Sequence, residues 1–290
     1  MAVDNIVETK PTPQAFGSSG GKFHLAKKIS SLMPEHKTYV EPYAGGAAVY
    51  FYKEPAEKEV LNDMDKEIAF AYRFIRDMSP QDYEALKRKN WRVTERQFNQ
   101  VKNLRPRNDV DRFYKFYYLK KASFRYGLDS VSPSKIGKTI SVERLPKVQG
   151  RLRGVAVNST DALKMINKYD SKNTLFYLDP PYPETARIGG EAPDFTRADM
   201  MKLTDRLRHI KGKFILSMDK TTAKFFPKWM NVKRVETKQV NMQEGGFLPE
   251  PRVEVLATNF KIVPRRKQLK KRRGTNGHRE LCPSSGSMRF

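Results

Sequence analysis

Cysteine is nearly absent from this chain, with Cys282 its only representative. A single thiol excludes an internal disulfide and a cysteine-built zinc site. Histidine is scarce too: His24, His36, His209 and His278 show no metal-ligand spacing, so no structural metal is expected. No apolar run approaches the roughly 20 residues of a membrane-spanning helix. Residues 1–21 lack the charged-then-apolar order of a secretory signal, so the chain is expected in the cytoplasm and away from membranes. Acidic residues are outnumbered, 32 Asp and Glu against 56 Lys and Arg, a net charge of +24 over 290 residues. That imbalance points to a polyanionic partner, nucleic acid above all. The length allows one or two domains with a sizeable core.

The organisation follows from periodicity and punctuation. Residues 1–21 hold Pro11, Pro13 and the run Gly17 to Gly21 with little to bury, and read as a flexible segment, with order expected from about Lys22. Phe23, Ala26, Ile29 and Leu32 recur at helical spacing before Pro34. Tyr39-Val40 predicts a short strand running into Glu41-Pro42-Tyr43-Ala44-Gly45-Gly46, a helix starts at Val49-Tyr50-Phe51, and Val60-Leu61 predicts a second strand ending at Asn62-Asp63. Strand, Gly-rich turn, helix and strand open a βαβ unit. From Asp65 to Arg125 the chain is helical and rich in Lys, Arg and aromatics, with interruptions near Pro80 and Pro106; Phe113, Phe116 and Tyr117 fall on one face as core. Residues 127–154, with Pro133, Gly137, Pro146 and Gly150, read as loop. The α/β rhythm then returns: a strand at Val155–Val157, a helix from Asp161 to Ile166, and a strongly apolar strand at Leu175–Leu178. A helix follows, capped by Thr196 and Asp199, with Met200, Leu203 and Leu207 facing inward and Gly212 at its end. Further strands are expected at Phe214–Leu216, Val232–Val235 and Val253–Thr258. This divides the chain into an α/β core (residues 22–66 and 150–262), a basic helical insertion (67–149) and a tail (263–290). Seven basic residues crowd between Arg265 and Arg273, a like-charge block expected to be disordered and to tether nucleic acid without reading sequence.

Asp179-Pro180-Pro181-Tyr182 carries the sharpest chemical signal. It follows the most apolar strand, and open α/β sheets bind ligands at the carboxyl ends of their strands. Two prolines stiffen the turn and hold a carboxylate, a carbonyl and an aromatic face in fixed relation. Such a set suits an exocyclic amine on a planar ring: Asp179 and the Pro180 carbonyl accept its two N–H bonds and Tyr182 stacks on the ring. The plainer alternative is a strand-ending turn with a surface aromatic. In the Gly-rich turn the backbone can approach a ligand closely, and Asp63, 18 residues beyond Gly45, stands where a carboxylate holds ribose hydroxyls. The turn is not G-x-G-x-x-G, which disfavours a nicotinamide dinucleotide, and Asp63 alone is equally a helix N-cap. Gly20-Gly21-Lys22 offers N–H groups and an ammonium to a carboxylate. Asp161 is either an N-cap or an acceptor for a base amine.

Taken in order, Gly20-Gly21-Lys22, Glu41 to Gly46, Leu61-Asn62-Asp63, Asp179 to Tyr182 and Arg252-Val253-Glu254-Val255-Leu256 resemble the D12 class (Dam-like) of DNA adenine-N6 methyltransferases, over Gly20 to Phe260. The resemblance implies a Rossmann-like, S-adenosylmethionine-dependent methyltransferase sheet with a mainly helical inserted target-recognition domain, acting as a monomer on duplex DNA and flipping adenine out of the helix. Nothing in the sequence speaks to a cognate restriction enzyme. Carried over by position, Lys22, Tyr43, Ala44, Gly45, Gly46, Asp63 and Asp161 form the methyl-donor pocket, and Asp179, Pro180, Pro181 and Tyr182 the adenine pocket. The turn departs from the family pattern: it reads Gly-Gly-Ala-Ala where a third glycine and a serine are usual, and no aromatic-Ala pair precedes Gly20. Two acceptors on a delocalised amine would localise its lone pair, so methyl transfer needs positioning rather than a covalent nucleophile. Basic residues of the insertion, among them Arg88, Lys89, Arg92, Lys120, Lys121 and Arg125, are expected on phosphates and base edges. Two other readings share these features: an RNA adenine methyltransferase, and a degenerate methyltransferase fold kept for DNA binding.

Overall fold

The computed structural model describes residues 11–18, 21–124, 128–182, 195–237 and 252–262. Gly20, Arg125, Cys282 and the basic block from Arg265 to Arg273 lie outside the described residues. Seven strands form one sheet: β1 (Thr38–Glu41), β2 (Lys58–Asn62), β3 (Ala156–Asn158), β4 (Thr174–Leu178), β5 (Lys213–Asp219), β6 (Asn231–Thr237) and β7 (Arg252–Thr258). Their order is β3-β2-β1-β4-β5-β7-β6. β7 runs antiparallel to both neighbours, and the other pairings are parallel. β1 and β4 sit side by side, with Val40 opposite Phe176, and the chain winds outward from them in opposite directions. Their carboxyl ends, Glu41 and the Asp179 turn, therefore open at the topological switch point of the sheet.

Central strands need apolar side chains on both faces, and β4 is buried along its whole length. Tyr39, Leu61, Leu175 and Tyr177 pack to one side, with α1 (Ala26–Leu32), α2 (Ala48–Tyr52) and α3 (Lys66–Asp77). Val40, Val60, Phe176 and Leu178 pack to the other, with α8 (Ala162–Tyr169) and α9 (Arg197–Arg208). Between β2 and β3 the chain builds α4 (Pro80–Lys87), α5 (Glu95–Lys102), α6 (Asp109–Ala122) and α7 (Leu145–Leu152). Side-chain caps explain where most of these helices start: Asp65, Ser79, Thr94, Asn108, Asp161 and Thr196 each accept a backbone N–H of the first turn. Phe113, Phe116 and Tyr117 on α6 are buried, with Phe113 stacked 4.6 Å from Phe74.

Four local expectations are corrected. Residues 11–18 belong to the fold: Ala15 and Phe16 are buried, and Phe16 packs 4.9 Å from the Tyr72 ring and 5.1 Å from Phe116. One large aromatic outweighs the surrounding Gly, Ser and Pro. The first helix starts at Ala26, and Phe23, in the turn before it, is exposed. Residues 145–152 form α7 rather than loop, because Pro146 occupies the first turn, where its missing N–H costs nothing, and Leu145, Val148 and Leu152 make a buried stripe. Gly212 does not end α9, which stops at Arg208. It lies where a Cβ would meet the Thr174 carbonyl at 2.9 Å.

Candidate active site

The Gly-rich turn after β1 is held from several sides. Gly45 has φ +46°, and its N–H donates to Asp63 Oδ2 at 2.7 Å while its carbonyl accepts from the Tyr72 hydroxyl at 2.7 Å. Ala47 follows with φ +48°, a left-handed conformation that costs an L-residue roughly 1–2 kcal/mol. The backbone thus keeps the shape a third glycine would relax. Residues 11–18 lie against the turn: Gln14 Nε2 donates to the Gly46 carbonyl at 2.6 Å, and the Gly46 N–H donates to Ser18 Oγ at 3.2 Å. A Cβ at Gly46 would meet Gln14, Phe16 and Ser18 at 3.0–3.2 Å, so this close approach requires glycine.

Asp63, at the end of β2, also accepts from the Asp65 N–H at 2.9 Å through Oδ1. Burial pushes its carboxyl up to about 6 despite these two bonds. The neighbouring Asn62 donates to the carbonyls of Pro42 and Thr160, both at 2.9 Å, and so ties the loops after β1 and β3 together. Asp161 caps α8, accepting from Lys164 N at 3.0 Å. Burial, with Asp161 and Asp199 nearby, raises the Tyr43 phenol, whose ring meets Phe195 edge-on at 6.1 Å.

The turn after β4 closes the other side. Lys22 is buried, and its ammonium donates to Asp179 Oδ1 and to the Tyr182 hydroxyl, both at 2.7 Å, with Glu254 Oε1 at 3.5 Å. Tyr182 is buried and donates to Glu254 Oε1 at 2.7 Å, and Ser217 Oγ donates to the same oxygen at 2.7 Å. Lys22, expected on a ligand's carboxylate, thus binds two carboxylates of its own chain. Ser18, Lys22, Glu41, Ala44, Tyr177 and Asp179 are among the residues lining a cleft between the two turns. Glu41 is buried at the cleft floor, accepts from the Tyr39 hydroxyl at 2.6 Å, and is pushed by burial up to about 8.

The basic residues of the helical segment divide. Arg88 and Arg92 are exposed. Lys89 pairs with Asp111 at 2.5 Å, while Lys120 and Lys121 are half-buried over the rings of Phe116 and Tyr117. Burial, with Arg144 and Lys135 nearby, lowers the Lys121 ammonium. Lys120 stands near enough to Asp63 to favour its ionised form.

Sequence reasoning missed Glu41, Ser18, Ser217 and Glu254 as site residues. Glu41 and Glu254 had a signal, since each is an acid inside a buried strand, a costly placement unless partnered.

The match to the family model for D12 class N6 adenine-specific DNA methyltransferases runs over residues 18–243. The chain belongs to that family. It is 26% identical to the Type II methyltransferase M.CviBI of Paramecium bursaria Chlorella virus NC1A over 214 residues, 70% of this chain and 81% of the relative. It is 25% identical to the Type II methyltransferase M.MjaIII of Methanocaldococcus jannaschii over 284 residues, 83% of this chain and 97% of the relative. A loose overlap, TM-score 0.32 at 11% identity, covers 80% of this chain and 94% of SMU.1697c of Streptococcus mutans, solved in complex with SAH. The Rossmann-like assignment rests instead on the strand order and the antiparallel β7. The family acts on DNA and takes its methyl group from S-adenosylmethionine. Among the described residues no helix is long and apolar enough to cross a membrane.

Proposed function

We propose that this protein methylates the N6 amine of adenine at a specific site in duplex DNA, with the target base flipped out of the helix. The observation that carries the reading is that Asp179, at the head of the Asp179-Pro180-Pro181-Tyr182 turn, lines one cleft together with Tyr43, Ala44, Gly46 and Ala47 of the Gly-rich turn. S-adenosylmethionine supplies an electrophilic sulfonium methyl when bound. The chemistry of the donor set fits it: Asp63, bonded to the Gly45 N–H beside the cleft, would offer a carboxylate for ribose hydroxyls, and Glu41, in the cleft lining, an acid toward a cationic centre. Tyr43 and Ala44 line the same wall. Asp161 serves as the cap of α8 and carries its acceptor role only as part of this proposal.

The residues of the chain do the positioning. All of Asp179's contacts among the described residues fall on Oδ1. Oδ2 is then the oxygen available to a base amine, with the Pro180 carbonyl as second acceptor. The Tyr182 hydroxyl is pinned by Lys22 and Glu254, which would hold the ring in place for a base to stack on it. Stacking offsets part of the few kcal/mol that flipping costs. The helical insertion, residues 67–149, would present Arg88 and Arg92 to phosphates, and core segments 22–66 and 150–262 would hold the site, with Gln14, Ser18 and Tyr72 fixing the Gly-rich turn.

Methyl transfer from labelled donor to duplex DNA, and to single-stranded RNA of the same sequence, tests the reading. Transfer to duplex DNA is expected, abolished by Asp179→Ala while DNA binding persists. Preference for RNA would replace the substrate. Absence of donor binding by calorimetry would point to a fold retained for DNA binding alone.

A further inference from the structure

We propose that Glu254, on the antiparallel strand β7, is a positioning residue for methyl transfer: through Lys22 and Tyr182 it holds the Asp179 carboxylate in its productive direction and keeps it an open acceptor. The inference rests on the adenine-methylation reading. Its ground is the connectivity of one buried cluster. The Lys22 ammonium is shared between Asp179 Oδ1 at 2.7 Å and Glu254 Oε1 at 3.5 Å. The Tyr182 hydroxyl lies between the same two acids, 2.7 Å from Glu254 Oε1 and 3.3 Å from Asp179 Oδ1. Glu254 Oε1 therefore draws the tyrosine proton toward itself and takes part of the lysine's charge. Without that pull, both donors would converge on Asp179 and compete with the amine for its lone pairs.

The placement is expensive, which argues that it has a use. Glu254 is buried, and among the described residues the groups facing it are Lys22 and Asp179, the phenols of Tyr182 and Tyr177, and Ser217. Across the ladder stand the apolar Val235 on β6 and Asp219 on β5. Asp219 turns its carboxylate to Thr221 and Thr222. A carboxylate in that setting carries a desolvation penalty that an apolar residue at the centre of a strand would avoid. Burial raises the Glu254 carboxyl, and Lys22, Ser217 and Tyr182 pull it back.

The test is the pH dependence of kcat at saturating donor and duplex DNA, in wild type and in Glu254→Gln. Wild type is expected to lose kcat toward acid as Glu254 takes up a proton. Glu254→Gln is expected to hold kcat down by roughly 10- to 100-fold, the size of a modest misplacement of reacting groups, with donor KM little changed and that acid limb gone. A kcat close to wild type, or an unaltered acid limb, would overturn the proposal. Should Glu254→Gln fail to fold, Ser217→Ala keeps the charge but removes a donor that favours the ionised form, so the acid limb should move to higher pH. A limb that stays in place would overturn it equally. Wild type producing no N6-methyladenine would count against the underlying reading, whereas active wild type with an indifferent Glu254→Gln would count against this inference alone.

Discussion

Acid should weaken methyl-donor binding before it harms the fold, and Asp63 sets where. Its carboxyl is raised from 3.8 to about 6 because burial outweighs the N–H bonds from Gly45 and Asp65. Below pH 3.8 the group is protonated whether folded or not, so it contributes nothing. Between 3.8 and 6 the folded form resists ionisation, and above 6 the penalty is constant, at most about 3 kcal/mol for a shift of this size. The chain therefore carries a destabilising carboxylate at neutral pH, which is reasonable only if a ligand uses it. Asp63→Asn removes the charge, but its amide must turn an NH2 toward either the Gly45 or the Asp65 N–H, leaving that donor unsatisfied at a cost of about 1–3 kcal/mol. The two effects oppose each other at similar size, so the Tm at pH 7 should hardly move. Donor binding should nevertheless collapse. In wild type the affinity should be about tenfold weaker one pH unit below the Asp63 pKa than on its plateau. Glu41, held up to about 8, lines the cleft as well, so the measurement belongs in a Glu41→Gln background, which removes that second titration. Calorimetric titration of S-adenosylmethionine from pH 5 to 8 reads it directly. A flat affinity across that range, or Asp63→Asn binding as tightly as its parent, would refute the reasoning.

Three further outcomes follow from the packing and the charge. Glu59 is buried between Lys53 at 2.5 Å and the Arg151 guanidinium, tying β2 to α7, so Glu59→Gln should cost about 3 kcal/mol by leaving two cations underpaired. These partners hold its carboxyl below the ordinary value, so the stabilisation is present above the unfolded pKa and is lost as pH falls through the lower, folded one; urea melts at pH 7 and pH 3 should show the variant's deficit shrinking in acid. Phe16→Ala should release residues 11–18 from the Gly46 turn and weaken donor binding, with faster amide exchange at Gly46 while β4 stays protected; unchanged exchange there would mean the segment is held by other interactions. Truncation after Val263 removes the seven basic residues from Arg265 to Arg273 and should flatten the slope of log K against log salt by about 0.9 for each phosphate the tail had neutralised, without altering the recognition sequence.

Much of the sheet was legible in the sequence because its strands are short apolar runs ended by polar turns. Leu175 to Leu178 before Asp179 is the plainest case, and each of the seven strands overlaps an expected one, although β6, with Val232 and Val235 among polar residues, is no apolar run. Helix α7 was hidden by Pro146 and Gly150, which read as breakers until position is considered: a proline in the first turn is harmless. Phe16 was hidden by its neighbours, since a single aromatic among Gly, Ser and Pro leaves no period to detect. The candidate site was legible by residue type and less so by partner. The sequence places Lys22 on a ligand, yet its partners include Asp179 and Glu254, which lie 157 and 232 positions along the chain. Such pairs depend on where β7 inserts between β5 and β6, and no local pattern encodes that.

The most direct test of the central claim is nucleoside mass spectrometry of unmethylated duplex DNA incubated with the purified protein and S-adenosylmethionine. The account predicts N6-methyldeoxyadenosine as the methylated product, absent with Asp179→Ala. A methylated cytosine, or no modified nucleoside from protein that binds both donor and DNA, would contradict it.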